Sequence, residues 1–239
     1  MTDPDGPEAE GVDAGARPQA ADRHRASGGR DRYAAARDHL RHADPVLGRL
    51  IDEHPDFDPR EWLDHLLPKM DAFGALLFQV VGQQLSVGSA RAIAGRVEAL
   101  YGGRLPEPQE LLDTDPEALR GAGLSRRKVE TLRALADRFL ADGLGEESFL
   151  RSSDEEIEAT LTAIPGIGPW TVRGFLMIAL DRPDVFPSGD LALRRAVMRR
   201  YGLEQLPTEQ ELLDIAERWR PCRSLAAGYL FLSEYKPTT

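Results

Sequence analysis

The stretch AIPGIGPWTVRGFLMIALDRPDVFPSGD, residues 163–190, carries the strongest structural signal in this chain. It joins a tight turn, the start of a helix and a downstream acidic residue. Pro165 fixes one backbone φ angle, while Gly166 and Gly168 allow backbone conformations that other residues avoid. The apolar run over residues 170–180 then predicts a buried helix.

A glycine turn at the start of a helix leaves backbone N–H groups pointing outward. Such donors, helped by the positive end of the helix dipole, bind an anion such as a phosphodiester without a lysine or arginine. Glycine turns that merely connect two elements are also common. Here the segments EEIEATLTAI (155–164) and PWTVRGFLMIAL (169–180) flank the turn with helical patterns, which predicts a helix-hairpin-helix.

The composition is that of a globular protein of one or two domains, with 239 residues of which 41% are apolar. Apolar runs such as residues 175–180 are too short to span a bilayer, and the N-terminus lacks the apolar core of a signal peptide. We therefore expect a cytoplasmic protein with no membrane partner. The single cysteine, Cys222, excludes an internal disulfide framework and a four-cysteine iron–sulfur cluster. The five histidines lie in the first third of the chain and form no metal-ligand pattern with it.

The formal net charge of −10 argues against nucleic-acid binding, because such proteins gain affinity by neutralising phosphates. A local basic face can nevertheless exist on an acidic protein. Basic residues gather at three places: Arg126, Arg127 and Lys128; Arg194, Arg195, Arg199 and Arg200; and Arg218, Arg220 and Arg223. Each group is either part of such a face or an ordinary solvated helix surface.

The segment patterns predict an all-α fold. Residues 1–30 are rich in Gly, Ala, Pro, Asp and Arg, and we expect them to form a disordered tail. From residue 31 onward helical periodicity is nearly continuous, and no segment has a convincing strand pattern. The predicted helices are 31–53, 59–67, 71–83, 86–101, 107–121, 125–141, 154–163, 168–181, 189–201, 208–219 and 222–235.

Three ordered stretches give the chain a family resemblance. They are FQVVGQQLSVGSARAIAGRV (78–97), GLSRRKVETLRALA (123–136) and the hairpin with its following acid, Asp190. Together they resemble the helix-hairpin-helix DNA glycosylases that carry a Gly/Pro-rich loop and a catalytic aspartate. Within that superfamily the chain is most similar to the alkylation-repair branch, the 3-methyladenine DNA glycosylase II type, over about residues 70–235.

The resemblance implies two helical domains with a cleft between them. One domain would comprise residues 31–71 plus 183–239, and the other residues 72–182, which include the hairpin. The hairpin and Asp190 would lie at the mouth of this cleft. The larger β-containing N-terminal domain of some relatives is not expected, because only about 70 residues precede the match and their pattern is that of a tail followed by a helix.

Asp190 is the expected catalytic residue, placed in the first turn of a helix where the dipole favours a carboxylate. Breaking an N-glycosidic bond develops positive charge on the sugar, so an ionised carboxylate nearby stabilises the transition state and orients or deprotonates water. The alternative is a plain helix-capping aspartate. The spacing between hairpin and acid, matched to the family, favours catalysis.

Trp170 stands where superfamily members that also cut the strand carry a lysine nucleophile. An indole cannot form a Schiff base, so the resemblance implies a monofunctional enzyme that leaves an abasic site. Trp170 would also stack on a flipped cationic base, the alternative being a core tryptophan that holds the hairpin to the helix. The remaining expected base-pocket residues are Phe78, Leu191 and Cys222. Since Leu191 and Cys222 replace frequent aromatics of the family, we expect a wider pocket and a broader range of alkylated bases.

Base excision requires extruding the nucleotide and filling the gap it leaves. In the family the loop matching residues 82–86 does this, and Gln84 aligns with the wedge, where the bacterial type has leucine; Leu85 is adjacent. The alternative is that Gln83 and Gln84 cap neighbouring helices. The expected DNA-binding residues are Gln83, Gln84, Leu85, Ser86, Pro165, Gly166, Ile167, Gly168, Thr171 and Arg194.

No cofactor is expected to be required, with one exception in the family. Its hairpin holds a monovalent cation, Na⁺ or K⁺, through backbone carbonyls, which here would be those of Thr162, Ile164 and Ile167. The ion would bridge to a DNA phosphate.

The sequence therefore predicts a monofunctional glycosylase that flips and excises 3-methyladenine or 7-methylguanine from double-stranded DNA and acts as a monomer. Two alternatives stay open: a glycosylase for deaminated or oxidised bases, and a non-catalytic helix-hairpin-helix module that binds distorted DNA.

Overall fold

The computed structural model of this protein describes residues 32–67 and 70–234. In these residues every regular element is helical and no strand occurs, so the prediction of an all-α fold is confirmed. The predicted tail, residues 1–30, lies outside the described part of the chain. No helix in that part is long and apolar enough to cross a membrane.

Seven helices occupy the first half of the described chain. They are α1 (Ala34–Ala43), α2 (Pro45–Glu53), α3 (Pro59–Leu66), α4 (Ala72–Gly82), α5 (Val87–Leu100), α6 (Pro108–Asp113) and α7 (Pro116–Gly121). A further seven follow, with a short 3₁₀ helix at Glu217–Trp219 before the last. They are α8 (Arg126–Asp142), α9 (Glu146–Arg151), α10 (Asp154–Thr162), α11 (Pro169–Ile178), α12 (Leu191–Tyr201), α13 (Glu209–Ala216) and α14 (Arg223–Glu234).

Aspartate–proline pairs divide two segments that the sequence predicts as single helices, 31–53 and 107–121. At the first division the Asp44 carboxylate accepts a bond from the N–H of Val46 at 2.8 Å, and Pro45 begins α2. Asp115 and Pro116 begin α7 in the same way. Proline suits the first helical position because it lacks the N–H that would be unpaired there, so the second helix starts anew at each pair.

Helix α9 was not predicted from the sequence. Its first turn is stabilised locally, because the Gly145 N–H donates to Ser148 Oγ at 2.9 Å. A helix of six residues is too short for its apolar spacing to show a period, and the glycines at 143 and 145 resemble a loop.

Two large hydrophobic cores lie in the described structure. The first is built by α4 to α11 and includes Leu77, Leu132 and Phe175, all fully buried. The second is built by α1, α2, α12, α13 and α14 and includes Trp219 and Tyr229. A small third cluster forms around Phe78, Ala90 and Ala94. The expected domain limits, 72–182 against 31–71 plus 183–239, stay a prediction.

The segment between α11 and α12 crosses from one core to the other. Val185 packs in the first core and the next residue, Phe186, packs in the second. The start of α14 holds the crossing, since Ser224 Oγ donates to the Arg182 carbonyl at 2.6 Å and accepts from the Val185 N–H at 2.9 Å. These bonds therefore fix the position of the crossing, from which the chain continues to Asp190.

Candidate active site

The glycine turn links two helices as the sequence predicts. Helix α10 ends at Thr162, the turn closes with a bond from the Ile167 N–H to the Ile164 carbonyl at 3.1 Å, and α11 begins at Pro169. Gly168 is the N-cap of α11 and carries no side chain to cover the first N–H groups of the helix. Pro165 is exposed, whereas the side chain of Ile167 is buried in the first core, so only the backbone of Ile167 is available at the turn.

Gly166 has a φ of +92°, and no side chain fits at this position. A Cβ built there would lie 2.0 Å from Thr131 Oγ1, an atom of α8. A positive φ and a contact this close both require glycine. The turn therefore packs closely against α8.

The side chain of Gln83 supports the turn from behind. Its Nε2 donates to the Gly166 carbonyl and to Thr171 Oγ1, each at 3.0 Å. Thr171 is only 2% exposed. In this structure the Gln83 amide and the Thr171 hydroxyl bond to each other, and the expected DNA contacts of the two residues stay a prediction.

Asp190 lies one residue before α12, at its N-cap and not within its first turn. Its Oδ1 accepts from the backbone N–H groups of Ala192 at 2.8 Å and Leu193 at 3.2 Å. Its Oδ2 accepts from Trp170 Nε1 at 3.0 Å. Three N–H donors fit a carboxylate, which only accepts hydrogen bonds. The carboxylate thus caps the helix through one oxygen while the other meets the helix that follows the hairpin.

Trp170 is 40% exposed and belongs to none of the hydrophobic cores. Its indole N–H is bonded to Asp190, so the ring is fixed at one edge while part of its surface remains open. The alternative of a core tryptophan does not fit this exposure.

A cleft of about 720 Å³ opens beside this pair and is lined in part by residues of α1, α4, α11 and α14. Of the expected base-pocket residues, Phe78, Trp170 and Cys222 line it together with Asp190, whereas Leu191 does not and is 46% exposed. Burial, and secondarily the charge of Asp184, raises the pKa of the Cys222 thiol, so the thiol form lines the wall.

Further aromatic residues also line the cleft, and sequence reasoning missed them. Tyr33 and Trp62 contribute from before α1 and from α3, and Phe231 from α14. Trp62 follows an Asp-Pro helix start, which locates its helix but says nothing about the face it presents. The packing of α1 and α3 against α14 brings these rings to the cleft.

In the loop between α4 and α5, Gln84 and Leu85 lie in different surroundings. Gln84 is exposed and has a φ of +60°, an uncommon conformation for a residue other than glycine. Leu85 is 40% exposed and lines the cleft, which Gln84 does not. Ser86 caps α5 through its Oγ, which accepts from the Ser89 N–H at 3.3 Å. Gln84 therefore occupies the tip of the loop and Leu85 its cleft side.

The three groups of basic residues differ in how many of their side chains are paired with a carboxylate. Within the described residues, Arg199 pairs with Glu234, Arg200 with Glu53, and both Arg220 and Arg223 with Asp184. Arg194 donates its Nε to the Pro207 carbonyl at 2.7 Å. Arg126, Arg127 and Arg195 are exposed and form no ion pair in the described part of the chain. Unneutralised positive charge therefore remains at the start of α8, on α12 and at Arg218, which is exposed and has no ion pair in the described residues.

No lysine lines the cleft among the residues that the structure describes. The Lys128 ammonium donates to the carbonyls of Val81 at 2.7 Å and Gln83 at 3.0 Å, and burial lowers its pKa. Lys69 and Lys236 fall outside the described ranges. The described cleft thus offers a carboxylate and no amine.

The turn also presents backbone carbonyls. The Ile164 carbonyl accepts from the Ile167 N–H, and no other turn or cap bond of the described chain uses those of Thr162 and Ile167. Backbone oxygens of this kind suit a hard cation. No cluster of three His, Cys, Asp or Glu side chains in the described chain could hold a metal.

Comparison with known proteins identifies the family. The profile described as HhH-GPD superfamily base excision DNA repair protein matches residues 78–221, more than half of the chain, and spans the loop, the hairpin and Asp190. The chain belongs to the HhH-GPD superfamily.

Two named proteins and one solved structure are similar to this chain. DNA-3-methyladenine glycosylase 1 of Schizosaccharomyces pombe is 33% identical over 195 residues, which cover 81% of this chain and 84% of that protein. DNA-3-methyladenine glycosylase 2 of Escherichia coli is 32% identical, and the match covers 69% of this chain and 58% of that protein. The S. pombe 3-methyladenine DNA glycosylase Mag1, solved in complex with abasic DNA, superposes with a TM-score of 0.77 at 32% identity, over 85% of this chain and 100% of that one.

Proposed function

We propose that this HhH-GPD protein is a monofunctional DNA glycosylase that flips an alkylated base, of the 3-methyladenine or 7-methylguanine type, out of double-stranded DNA and hydrolyses its glycosidic bond. One observation carries the proposal: the carboxylate of Asp190 stands beside an apolar cleft, bonded to Trp170 next to the hairpin. The names of the 3-methyladenine glycosylases to which the chain is similar support it.

Asp190 performs the chemistry through its charge. As the bond between C1′ and the base breaks, its electron pair leaves with the base and the sugar becomes oxocarbenium-like. The Asp190 carboxylate stabilises that positive charge, and it orients the water whose oxygen bonds to C1′ and whose proton is released. An alkylated purine departs easily because its positive charge is cancelled by the electron pair that it takes. An abasic site remains.

The cleft recognises the base by its apolar and aromatic walls. Trp170 offers an electron-rich ring with one edge fixed by Asp190, and a cationic base is attracted to such a face. Phe78 and Cys222 contribute further wall, and Leu191 lies outside the rim of the cleft. Because Cys222 is smaller than an aromatic residue, the cleft accepts several alkylated bases.

The hairpin and the loop hold the DNA. The backbone N–H groups of Gly166 and Gly168 bind a phosphate at the start of α11, while that of Ile167 closes the turn. Gln84, at the tip of its loop, fills the space left by the flipped nucleotide. The backbone carbonyls of Thr162, Ile164 and Ile167 would hold a monovalent cation, whose positive charge would attract a DNA phosphate. We place the protein in the cytoplasm as a monomer.

Release of free methylated bases from alkylated duplex DNA, at fixed low salt, tests the proposal. Wild type should release them, whereas Asp190→Asn should bind DNA and release none. Asparagine can still cap α12, so folding is preserved while the negative charge is removed. Excision by Asp190→Asn contradicts the mechanism. Absence of excision by the wild type points instead to deaminated or oxidised bases, or to a module that binds distorted DNA without catalysis.

A further inference from the structure

We infer that Lys128 and Gln83 form a positioning relay that fixes the loop at residues 83–86 relative to the hairpin. The relay would keep a constant distance between the phosphate that the hairpin binds and the gap in the DNA stack that the loop fills. The inference rests on the proposed function, since it assigns these two residues to base extrusion. Neither side chain lies in the Asp190 cleft. Both are therefore expected to act through other groups.

Lys128 holds the C-terminal end of α4. Its Nζ donates to the carbonyls of Val81 and Gln83, at 2.7 and 3.0 Å, and the side chain is partly buried. Carbonyls at the end of a helix lack intrahelical partners and carry partial negative charge, so an ammonium group there is well placed. Lys128 belongs to the basic group at the start of α8, but its ammonium group donates to the carbonyls at the end of α4. Its neighbours Arg126 and Arg127 remain exposed.

Gln83 continues the connection to the hairpin. While its carbonyl accepts from Lys128, its side-chain Nε2 donates to the Gly166 carbonyl and Thr171 Oγ1, both at 3.0 Å. One residue thus receives a bond from α8 and gives two to the hairpin. The next residue, Gln84, adopts its positive φ immediately after this anchored point.

Helix α8 also touches the hairpin directly. Thr131, one turn after Lys128, fills the space that a side chain at Gly166 would need. The two residues lie on neighbouring positions of one helix face, three apart in sequence. A single rigid helix of 17 residues therefore sets the position of both the loop and the turn.

The consequence concerns extrusion more than ground-state binding. A loop that is free to move can still let the hairpin bind a phosphate, but it fills the vacated stack less often. Misplacing a contact by about 1 Å can cost about a hundredfold in rate. Loss of either relay residue should therefore lower the rate at saturating protein while leaving affinity for undamaged duplex nearly intact.

Fluorescence of 2-aminopurine placed beside an abasic-site analogue reports insertion of the loop, because a side chain that enters the stack separates this base from its neighbouring base and so brightens it. We would compare wild type, Gln83→Met and Lys128→Met at saturating protein, and measure single-turnover excision of methylated bases alongside. Each variant should lose most of the fluorescence increase and about tenfold to a hundredfold of the excision rate. Lys128→Arg, which can still donate to the two carbonyls, should restore most of both.

Arg127→Met is the matched control, because it removes one positive charge from the same helix terminus without touching the carbonyls of α4. Lys128→Met should weaken binding to undamaged duplex no more than this control does. The double variant Gln83→Met/Lys128→Met should lose no more excision rate and fluorescence than the more impaired single variant, because the two sets of bonds act in series. The relay is rejected if Lys128→Met matches Arg127→Met in fluorescence, or if Gln83→Met behaves as wild type. Should Lys128→Met fail to fold, Gln83→Met, which disturbs no buried charge, decides alone. A wild type that excises nothing contradicts the proposed function, while the fluorescence comparison still tests the relay.

Discussion

Trp170 Nε1 donates a hydrogen bond to Asp190 Oδ2 at 3.0 Å, joining the first turn of α11 to the N-cap of α12. The bond links the hairpin helix to the carboxylate across the segment that passes from one core to the other. Because Oδ1 is held separately by α12, the indole controls how the second oxygen is turned toward the cleft.

Trp170→Phe should therefore slow excision while affinity for duplex DNA stays close to wild type. Phenylalanine keeps an aromatic face for the base but removes the N–H that orients the carboxylate. A hydrogen bond to a charged group contributes about 1.5–3 kcal/mol, so we expect a loss of about tenfold or more in the single-turnover rate. Trp170→Ala, which removes the face too, should be slower still. Equal rates for Trp170→Phe and wild type would show that the bond has no part in catalysis.

Gly166→Ala should destabilise the hairpin by about 3 kcal/mol, because its Cβ overlaps Thr131 Oγ1 and its φ of +92° disfavours alanine. Thermal unfolding and duplex affinity would both report the loss. Gly168→Ala is the control for stability, since its Cβ meets nothing within 4 Å. The double variant Gly166→Ala/Thr131→Ala should recover the part that comes from overlap. If the single Gly166→Ala variant melts like wild type, the close packing of the turn on α8 is wrong.

The bonds of Asp44 to the second core predict that the stability of the protein depends on pH. Burial by itself raises its pKa, but bonds from Tyr201 Oη at 2.6 Å, Trp219 Nε1 at 2.9 Å and two backbone N–H groups outweigh burial and leave the pKa below its usual value. A carboxylate with a depressed folded pKa contributes stability above its unfolded pKa of about 3.9. That contribution is lost as the pH falls through the folded pKa.

Asp44→Asn should consequently lower the free energy of unfolding by about 1–3 kcal/mol at pH 7, with a smaller difference from wild type below about pH 3.5. Urea unfolding at both pH values measures this. Glu117→Gln, at an exposed pair with Arg120, should leave stability unchanged within about 0.5 kcal/mol. If Asp44→Asn lowers the free energy of unfolding as much in acid as at neutral pH, the stabilising role of the ionised Asp44 carboxylate is contradicted.

Arg127→Met should reduce the salt dependence of DNA binding. An exposed arginine without a carboxylate partner is free to neutralise a phosphate, so the slope of log affinity against log salt should fall by about one. Arg199→Met removes an arginine already paired with Glu234 and should change the slope much less. Equal slopes for the two variants would mean that ion pairing within the protein does not decide which arginines meet DNA.

Much of the fold was predictable from the sequence because its signals are local. Apolar spacing, Asp-Pro starts and glycine stops mark helices within about ten residues, and the Gly-rich turn needs only its own φ angles. The same is true of Asp190, whose position before an apolar-basic helical run predicts a helix terminus. The errors follow the same logic: α9 is too short to show a period, and Pro45 and Pro116 split helices whose apolar spacing continues across them.

The sequence by itself determined the all-α class, the hairpin, the family and the absence of a lysine at position 170. Only the tertiary structure decided that Gln83 faces the hairpin, that Lys128 serves a helix end, and that Tyr33 and Trp62 reach the cleft. The reason is physical. A helix presents several faces to solvent or to neighbours, and which face is covered depends on helices far away in sequence, whose packing no local pattern encodes.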